Sequence, residues 1–525
     1  MDNKIIVTNR SVLLDKYGKK GVAQITKALV ALKAADKKRG IQTRVVYLDD
    51  KTGIKKLGAA AVVNPLSPRE NKAAIDAVFK SLQPEYLVIL GAPDVVPHQD
   101  LHNLAYSPGS DDDRFAWSDL PYACTATYSH DPAKFIGPTR VIGRLPDLVG
   151  ATEPSYLLGL LHTSATYQSR SYEDYESYFS LSTVTWKKST QLSLSNVFGN
   201  NKELRLSPTL GPKHPAKQLA SRMHFINCHG GQASPEFQGQ KYKTYPSALT
   251  TKTITGKIKE GTVAAVECCY GAELYPALTL GIDMPICQSY LAQGAYGYLG
   301  STTIAYGPAD FNGLADIICQ HFLLNIFAGA SLGRAALMAR QQFVADTGQM
   351  DPLDLKTLSQ FHLLGDPSVH PVMKSESLVL PKGMAGDQVE KFSRAERRIK
   401  LQEAGTFLEK TKPTASKVVA KATISRTTKT SLGKLAKLAG LSDKQAFTSF
   451  KVSVPTAAKS TKTKSAGIPT QYHIALGCPS KSKSKSKSKS KSKAKSHDHN
   501  IHCGVAIVAK ESQGQIVGYR IYQQR

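Results

Sequence analysis

The sequence predicts an α/β protein built on a mainly parallel sheet, followed by a basic carboxyl-terminal region with a small β unit. Three observations predict this. Runs such as KIIVT (4–8), YLVIL (86–90) and VAAV (263–266) are too short for helices and lack polar alternation, as strands covered on both faces do. Segments with apolar residues at helical spacing lie between such runs, and that alternation puts helices on the faces of a parallel sheet. Charge then divides the chain: residues 373–525 hold 31 Lys+Arg against 9 Asp+Glu and carry +22 of the net +27. A chain of 525 residues with 41% hydrophobic content can bury sizeable cores in two or three domains. The expected units are an N-terminal α/β subdomain (1–150), a second α/β subdomain (151–372), a basic, partly helical linker (373–470) and a small β unit (471–525).

In chain order, the first strand at 4–8 is followed by Val22, Ile25, Leu29 and Leu32 at helical spacing, with Gly40 as the stop. Thr43 to Leu48 is the next strand. Ser67-Pro68-Arg69-Glu70 then opens a helix, with the hydroxyl capping the first turn, proline at its first position and Glu70 reaching back. Strands are expected at 86–90 and within TRVIGRLPD (139–147), and a helix at 153–166. The stretch from there to about 220 has little pattern. Next come the strands MHFIN (223–227) and VAAV (263–266), a helix opening near Asp283 and a strand at YGYLGS (296–301). Two helices between Asn312 and Thr347 and a strand at QFHLL (360–364) complete this part. Leu314 to Ala330 is the longest apolar segment, but Asp316, Gln320, His321 and Asn325 interrupt it, which suits a core helix better than a membrane span.

Beyond residue 372, Lys391 to Glu409 and Leu432 to Phe447 have amphipathic helical spacing. QYHIALG (471–477) and the pair within 503–522, with Gly514 at their turn, read as strands of the small β unit. The Lys-Ser insertion (480–496) has nothing to bury and is predicted to stay disordered between two strands. Its lysines suit a weakly selective contact with nucleic acid or an anionic surface, or a solubilising role. The eight cysteines have no framework spacing and are expected to be reduced. The amino terminus lacks the three regions of a signal peptide, so a cytoplasmic location is expected.

The chemistry is expected where two buried strands end. VAAVECCYG (263–271) ends in a carboxylate and two thiols, and MHFINCHGG (223–231) ends in a histidine and two glycines. Carboxyl ends of parallel strands open into ligand crevices, so His229 with Cys269 or Cys268 forms a candidate catalytic pair. Neighbouring residues at a strand end point in opposite directions, so only one thiol can face the cleft. Glycines at 230 and 231 allow backbone N–H groups close to a reacting carbonyl. Cys228, His229, Cys268 and Cys269 are also a formal zinc set, but adjacent ligands fit a shared ion poorly, and no metal is assigned there. Asp111-Asp112-Asp113 is a conceivable calcium site and, read more simply, a solvated acidic loop.

The chain resembles the gingipain-like cysteine peptidases of the caspase-like group. The resemblance spans residues 85–372 and rests on ordered blocks: YLVILGAPDVVP, SDLPYA with VIGRLPD, FINCHGG, VAAVECCYGA, GAYGYLGSTTIAYGP and FHLLGDPSVHP. It implies a three-layer sandwich and an endopeptidase acting on protein or peptide substrates through an acyl-enzyme. It further implies His229 as acid/base, a cysteine nucleophile, and oxyanion donors from the nucleophile and Gly230. Glu267-Cys268-Cys269, with Gly271 two residues on, fits the caspase register and favours Cys269; the gingipain register, with glycine three residues on, picks Cys268. No match to the gingipain carboxylate that selects a basic residue is evident, so arginine preference is not implied. The opposing expectation is an inactive caspase-like scaffold with a basic binding module.

Overall fold

Ten strands form one sheet, in the order 43–47, 4–8, 86–90, 141–145, 361–365, 297–301, 263–266, 223–227, 178–183 and 204–207. The computed structural model describes residues 3–373, 394–416, 424–453, 470–479 and 504–525. Neighbours pair in parallel, with one exception: Phe361–Gly365 runs antiparallel to Gly297–Ser301. The sheet is therefore two parallel blocks of opposite direction. The first takes its strands from residues 4–145 and is closed by Phe361–Gly365, so the chain returns to its amino-terminal part at the end of the α/β region.

Helices cover both faces, giving three layers in an α/β fold. Arg10–Lys38 packs on Ser155–Thr166 on one face, while Ala315–Phe327 packs on Leu332–Asp346, on Lys187–Phe198 and beneath the Val263–Val266 strand on the other. Alternate residues of Val263–Val266 enter different cores: Ala264 and Val266 join one apolar cluster, Val263 and Ala265 the other. The period of two continues past the strand. Cys268 belongs to the first cluster and Cys269 to the second.

Local signals held with instructive exceptions. Ser67 Oγ caps Pro68–Leu82 by accepting from the N–H of Glu70 at 3.2 Å, but Glu70 does not return to Ser67. Its carboxylate accepts from the N–H groups of Val63 and Asn64 at 2.7 and 2.9 Å, tying down the preceding loop instead. The unpatterned stretch before residue 220 contains the last two strands of the sheet, Tyr178–Thr183 and the edge strand Leu204–Ser207, and the helix Lys187–Phe198. Buried serines hid the first strand: Ser180 and Ser182 are fully buried, and Ser182 Oγ bonds Thr190 Oγ1 at 2.8 Å. The helix Pro352–Gln360 was also unforeseen; Asp351 caps it, and Leu353, Leu355 and Leu358 enter the core.

The β unit is larger than expected. A six-stranded antiparallel sheet runs in the order 306–307, 515–524, 505–512, 470–477, 448–453 and 414–416. Two of its strands come from the region read as a linker. A further strand, Tyr306–Gly307, belongs to the α/β body, so Gln515–Gln524 joins the two parts of the chain. The last hairpin turns at Gln513 and Gly514, with φ of 52° and 77°, and glycine takes that left-handed conformation without cost. The amphipathic helices are Arg394–Thr411 and Arg426–Leu438, the second ending before Gly440 rather than at Phe447. The Lys-Ser insertion lies outside the described residues. Among those described, no helix is long and apolar enough to cross a membrane.

Candidate active site

Met223–Asn227 and Val263–Val266 are paired neighbours in register Met223 to Val263 through Ile226 to Val266. Residues 227 and 229 thus leave the sheet with the same parity as 267 and 269. The structure brings His229, Gly230 and Cys269 together at these two strand ends. Gly230 lies against the carbonyl of Cys269 so closely that a Cβ there would overlap its oxygen. Cys268 sits on the far face with Cys228, its sulfur accepting from the Cys228 N–H at 3.3 Å. The four formal zinc ligands are therefore divided between two faces.

His229 is held from three sides. Its Nε2 lies 2.7 Å from Oε1 of Gln240, and its ring packs against Trp186 and Tyr245 with centroids 4.5 and 5.2 Å away. Gln240 Nε2 in turn donates to the Tyr245 hydroxyl at 3.0 Å, so the amide is oriented with its carbonyl toward the imidazole. Cys269 Sγ accepts from the Ala305 N–H at 3.2 Å. Burial pushes the imidazole down to about 4, with the charge of Arg525 acting in the same direction, and pushes the Cys269 thiol up to about 12. With the cleft filled as it is here, the pair rests as neutral imidazole and thiol.

The cleft is filled by the chain itself. Tyr306 pairs with Gln524 and Gly307 with Gln523, and the next residue, Arg525, donates its N–H to Ala305 O at 3.0 Å. The main-chain oxygen of Arg525 accepts from the Cys269 N–H at 2.9 Å. Its guanidinium enters a closed pocket, where Nη1 makes an ion pair with Glu267. Nη2 lies 2.9 and 3.0 Å from the two Asp316 oxygens and 3.2 Å from the Pro308 carbonyl. Trp186 lies beside it, its ring 5.4 Å from Cζ and its Nε1 donating to Gln523 Oε1 at 3.0 Å. A Cβ on Gly307 would overlap the guanidinium.

Each of these groups has a local cause. Glu267 shares the cleft-side parity of Cys269, and Asp316 sits in the first turn of Ala315–Phe327, where it accepts from the Gly313 N–H at 3.1 Å. Burial raises Asp316 well above the usual carboxylate range and lowers the Arg525 guanidinium to about 9, which leaves it cationic at neutral pH. Two carboxylates converge on this guanidinium, at a place where the sequence reading left the side-chain preference open. Asp316 had one signal in sequence, as an acid in an apolar helix. Trp186, Gln240 and Arg525 had none, since tertiary packing alone brings them in.

The acidic run has another use. Asp111 pairs with Lys356 at 2.5 Å and accepts from Tyr306 Oη at 2.9 Å, and Asp113 accepts from Tyr270 Oη and the Ile304 N–H, each at 2.8 Å. Oxygens that calcium would take are thus occupied by a cation and donors of the chain, bracing the segment that carries Ala305. Among the described residues, His98, Asp119 and His362 are spaced to share an ion. Arg144 already holds both Asp119 oxygens, at 2.8 and 2.6 Å, and disfavours a second cation there.

No protein-family model matches this chain, and no curated protein matches it. Among solved structures it is similar to the complex of the pro- and mature domains of RgpB from Porphyromonas gingivalis, at 13% identity over 70% of this chain and 79% of that one, with a TM-score of 0.46. It is also similar to a structure described as a protease, at 13% identity over 99% and 97% of the two chains, with a TM-score of 0.44. A third likeness is to separase in the Saccharomyces cerevisiae separase–securin complex, at 15% identity over 44% of this chain and 14% of that one, with a TM-score of 0.28.

Proposed function

We propose that the chain is a cysteine endopeptidase with Cys269 as nucleophile and His229 as acid/base. One observation carries the reading: the strand Gln515–Gln524 leads Arg525 to the thiol, with the main-chain oxygen of Arg525 hydrogen-bonded to the Cys269 N–H, 2.9 Å away. A scaffold has no need for a main-chain oxygen held at the N–H of this cysteine.

In the reaction, His229 takes the Cys269 proton as sulfur attacks the substrate carbonyl and an S–C bond forms. The oxyanion is received by the Cys269 N–H, with Gly230 as the second donor. Collapse breaks the C–N bond, and imidazolium gives its proton to the departing amine. Water, deprotonated by His229, then cleaves the thioester and returns the thiol. Gln240 keeps the imidazole oriented throughout. Tyr306 and Gly307 hold the substrate as an added antiparallel strand, a mode that fixes the backbone irrespective of most side chains. The test is incubation with a peptide library and identification of the cleaved bonds by mass spectrometry, using Cys269→Ala as control. Cleavage by folded wild type and none by Cys269→Ala is expected; no cleavage by either, across the library and with the terminal strand released by Arg525→Ala, would favour the scaffold.

A further inference from the structure

We infer that the strand Gln515–Gln524, with Arg525 after it, is a built-in occupant of the substrate groove that holds the site closed, and that the pocket Arg525 fills selects a guanidinium side chain. The word substrate rests on the peptidase reading; the occupancy and the pocket chemistry do not.

The pocket is built for a cation. Glu267 and Asp316 are both fully buried, and among the described residues Arg525 is the cation paired with either. Two buried carboxylates facing one cavity without a counter-charge are costly, so an empty pocket would draw in protons or a cation. A guanidinium answers the geometry better than an ammonium. Its two terminal nitrogens reach different acids, and its Cζ lies over the Trp186 ring, 5.4 Å from the centroid. Gly307 leaves the side-chain space that the guanidinium fills.

The occupant is anchored beyond its last side chain. Gln524 Nε2 donates to Ser110 O and to Tyr306 Oη, at 2.5 and 2.9 Å, and its Oε1 accepts from the Gly504 N–H at 2.8 Å. The strand also pairs along its length with Val505–Ser512, so it is tethered at high effective concentration beside the groove. Any peptide using Tyr306 and Gly307 must displace it.

The experiment compares full-length wild type with Arg525→Ala, and with Arg525→Lys as a variant that keeps the buried charge should alanine impair folding. Covalent labelling of Cys269 by an arginyl acyloxymethyl ketone should be at least 10-fold faster in Arg525→Ala, intermediate in Arg525→Lys, and slow in all three with the alanyl analogue. Equal rates in folded wild type and Arg525→Ala, with label on Cys269, would overturn the restraint and leave the peptidase reading standing. If no protein is labelled, the peptidase reading fails instead. The pocket is then judged by calorimetry with Nα-acetyl-argininamide. Binding to Arg525→Ala, and none to wild type or to Arg525→Ala carrying Glu267→Gln and Asp316→Asn, is the expected result. Equal binding to wild type, or none to folded Arg525→Ala, would overturn the inference.

Discussion

Gly230 packs on the carbonyl oxygen of Cys269 with no room for a Cβ between them. That contact fixes the spacing between the histidine-bearing and thiol-bearing strand ends, so it should be sensitive to one added methyl. The adjacent Gly231 is a control, since its nearest neighbour to a Cβ, Ser234 Cβ, would be 3.5 Å away, an ordinary contact. Gly230→Ala is expected to cost about 1–3 kcal/mol of stability by forcing backbone apart, and to reduce labelling of Cys269 well beyond what Gly231→Ala does. Thermal melts and labelling rates of the two variants check this. Equal, small effects would mean that the strand ends are not locked.

The two adjacent thiols should behave differently. Cys269→Ala is expected to abolish labelling and peptide hydrolysis. Cys268→Ala should remain active and lose on the order of 1 kcal/mol, because it removes a buried sulfur without stranding a charged group. Burial raises the Cys268 thiol well above its ordinary value, and it lies among core residues on the other face of the sheet. Mass spectrometry of the labelled peptide locates the reactive sulfur. Label on Cys268 in an active Cys269→Ala protein would reassign the nucleophile.

How much of this was legible in sequence depended on whether the signal was local. Buried parallel strands announce themselves as short apolar runs, so the positions of His229 and Cys269 at two strand ends could be read directly. Their side-by-side pairing came only with the register of Met223–Asn227 against Val263–Val266. Tyr178–Thr183 was hidden because its serines are satisfied or enclosed by packing that no local pattern reveals. The acidic run read as a loop, or a calcium site, because Lys356 lies more than two hundred residues downstream of its partner Asp111. Arg525 was the extreme case. As one basic residue in a basic region it carried no distinguishing feature until the terminal strand paired with Tyr306–Gly307.

Glu273 gives a pH test independent of catalysis. It accepts from the Ala233 N–H at 2.6 Å, and burial raises its carboxyl to about 7 despite that bond. Between the ordinary carboxyl value of about 4.5 and 7, the folded protein holds this proton more tightly than the unfolded chain. Its contribution is therefore fully present below that window and is lost as pH rises through it, by up to about 1.4 kcal/mol per pH unit. Glu273→Gln keeps the acceptor and removes the titration. Its melting temperature relative to wild type should rise from pH 5 to pH 7.5; a constant difference would show that Glu273 is ionised throughout.

The bond between Gln240 and His229 bears on the chemistry itself. Oε1 of Gln240 lies 2.7 Å from Nε2, so the imidazole donates there, and on the peptidase reading its Nδ1 is left for proton exchange at the thiol. The same bond raises the imidazole pKa against the lowering by burial. Gln240→Leu removes both effects, leaving the ring free to turn and imidazolium harder to form. On the peptidase reading, kcat should fall roughly 10-fold, equivalent to about 1.4 kcal/mol, with KM little changed. Gln240→Glu keeps an acceptor at the same place and adds a negative charge that favours imidazolium, so it should recover most of the lost kcat and shift the pH profile upward. A purely structural role for Gln240 predicts no such recovery. Steady-state kinetics across pH for the two variants separate these outcomes, and equal losses in both, with unshifted profiles, would remove Gln240 from the account of how His229 works.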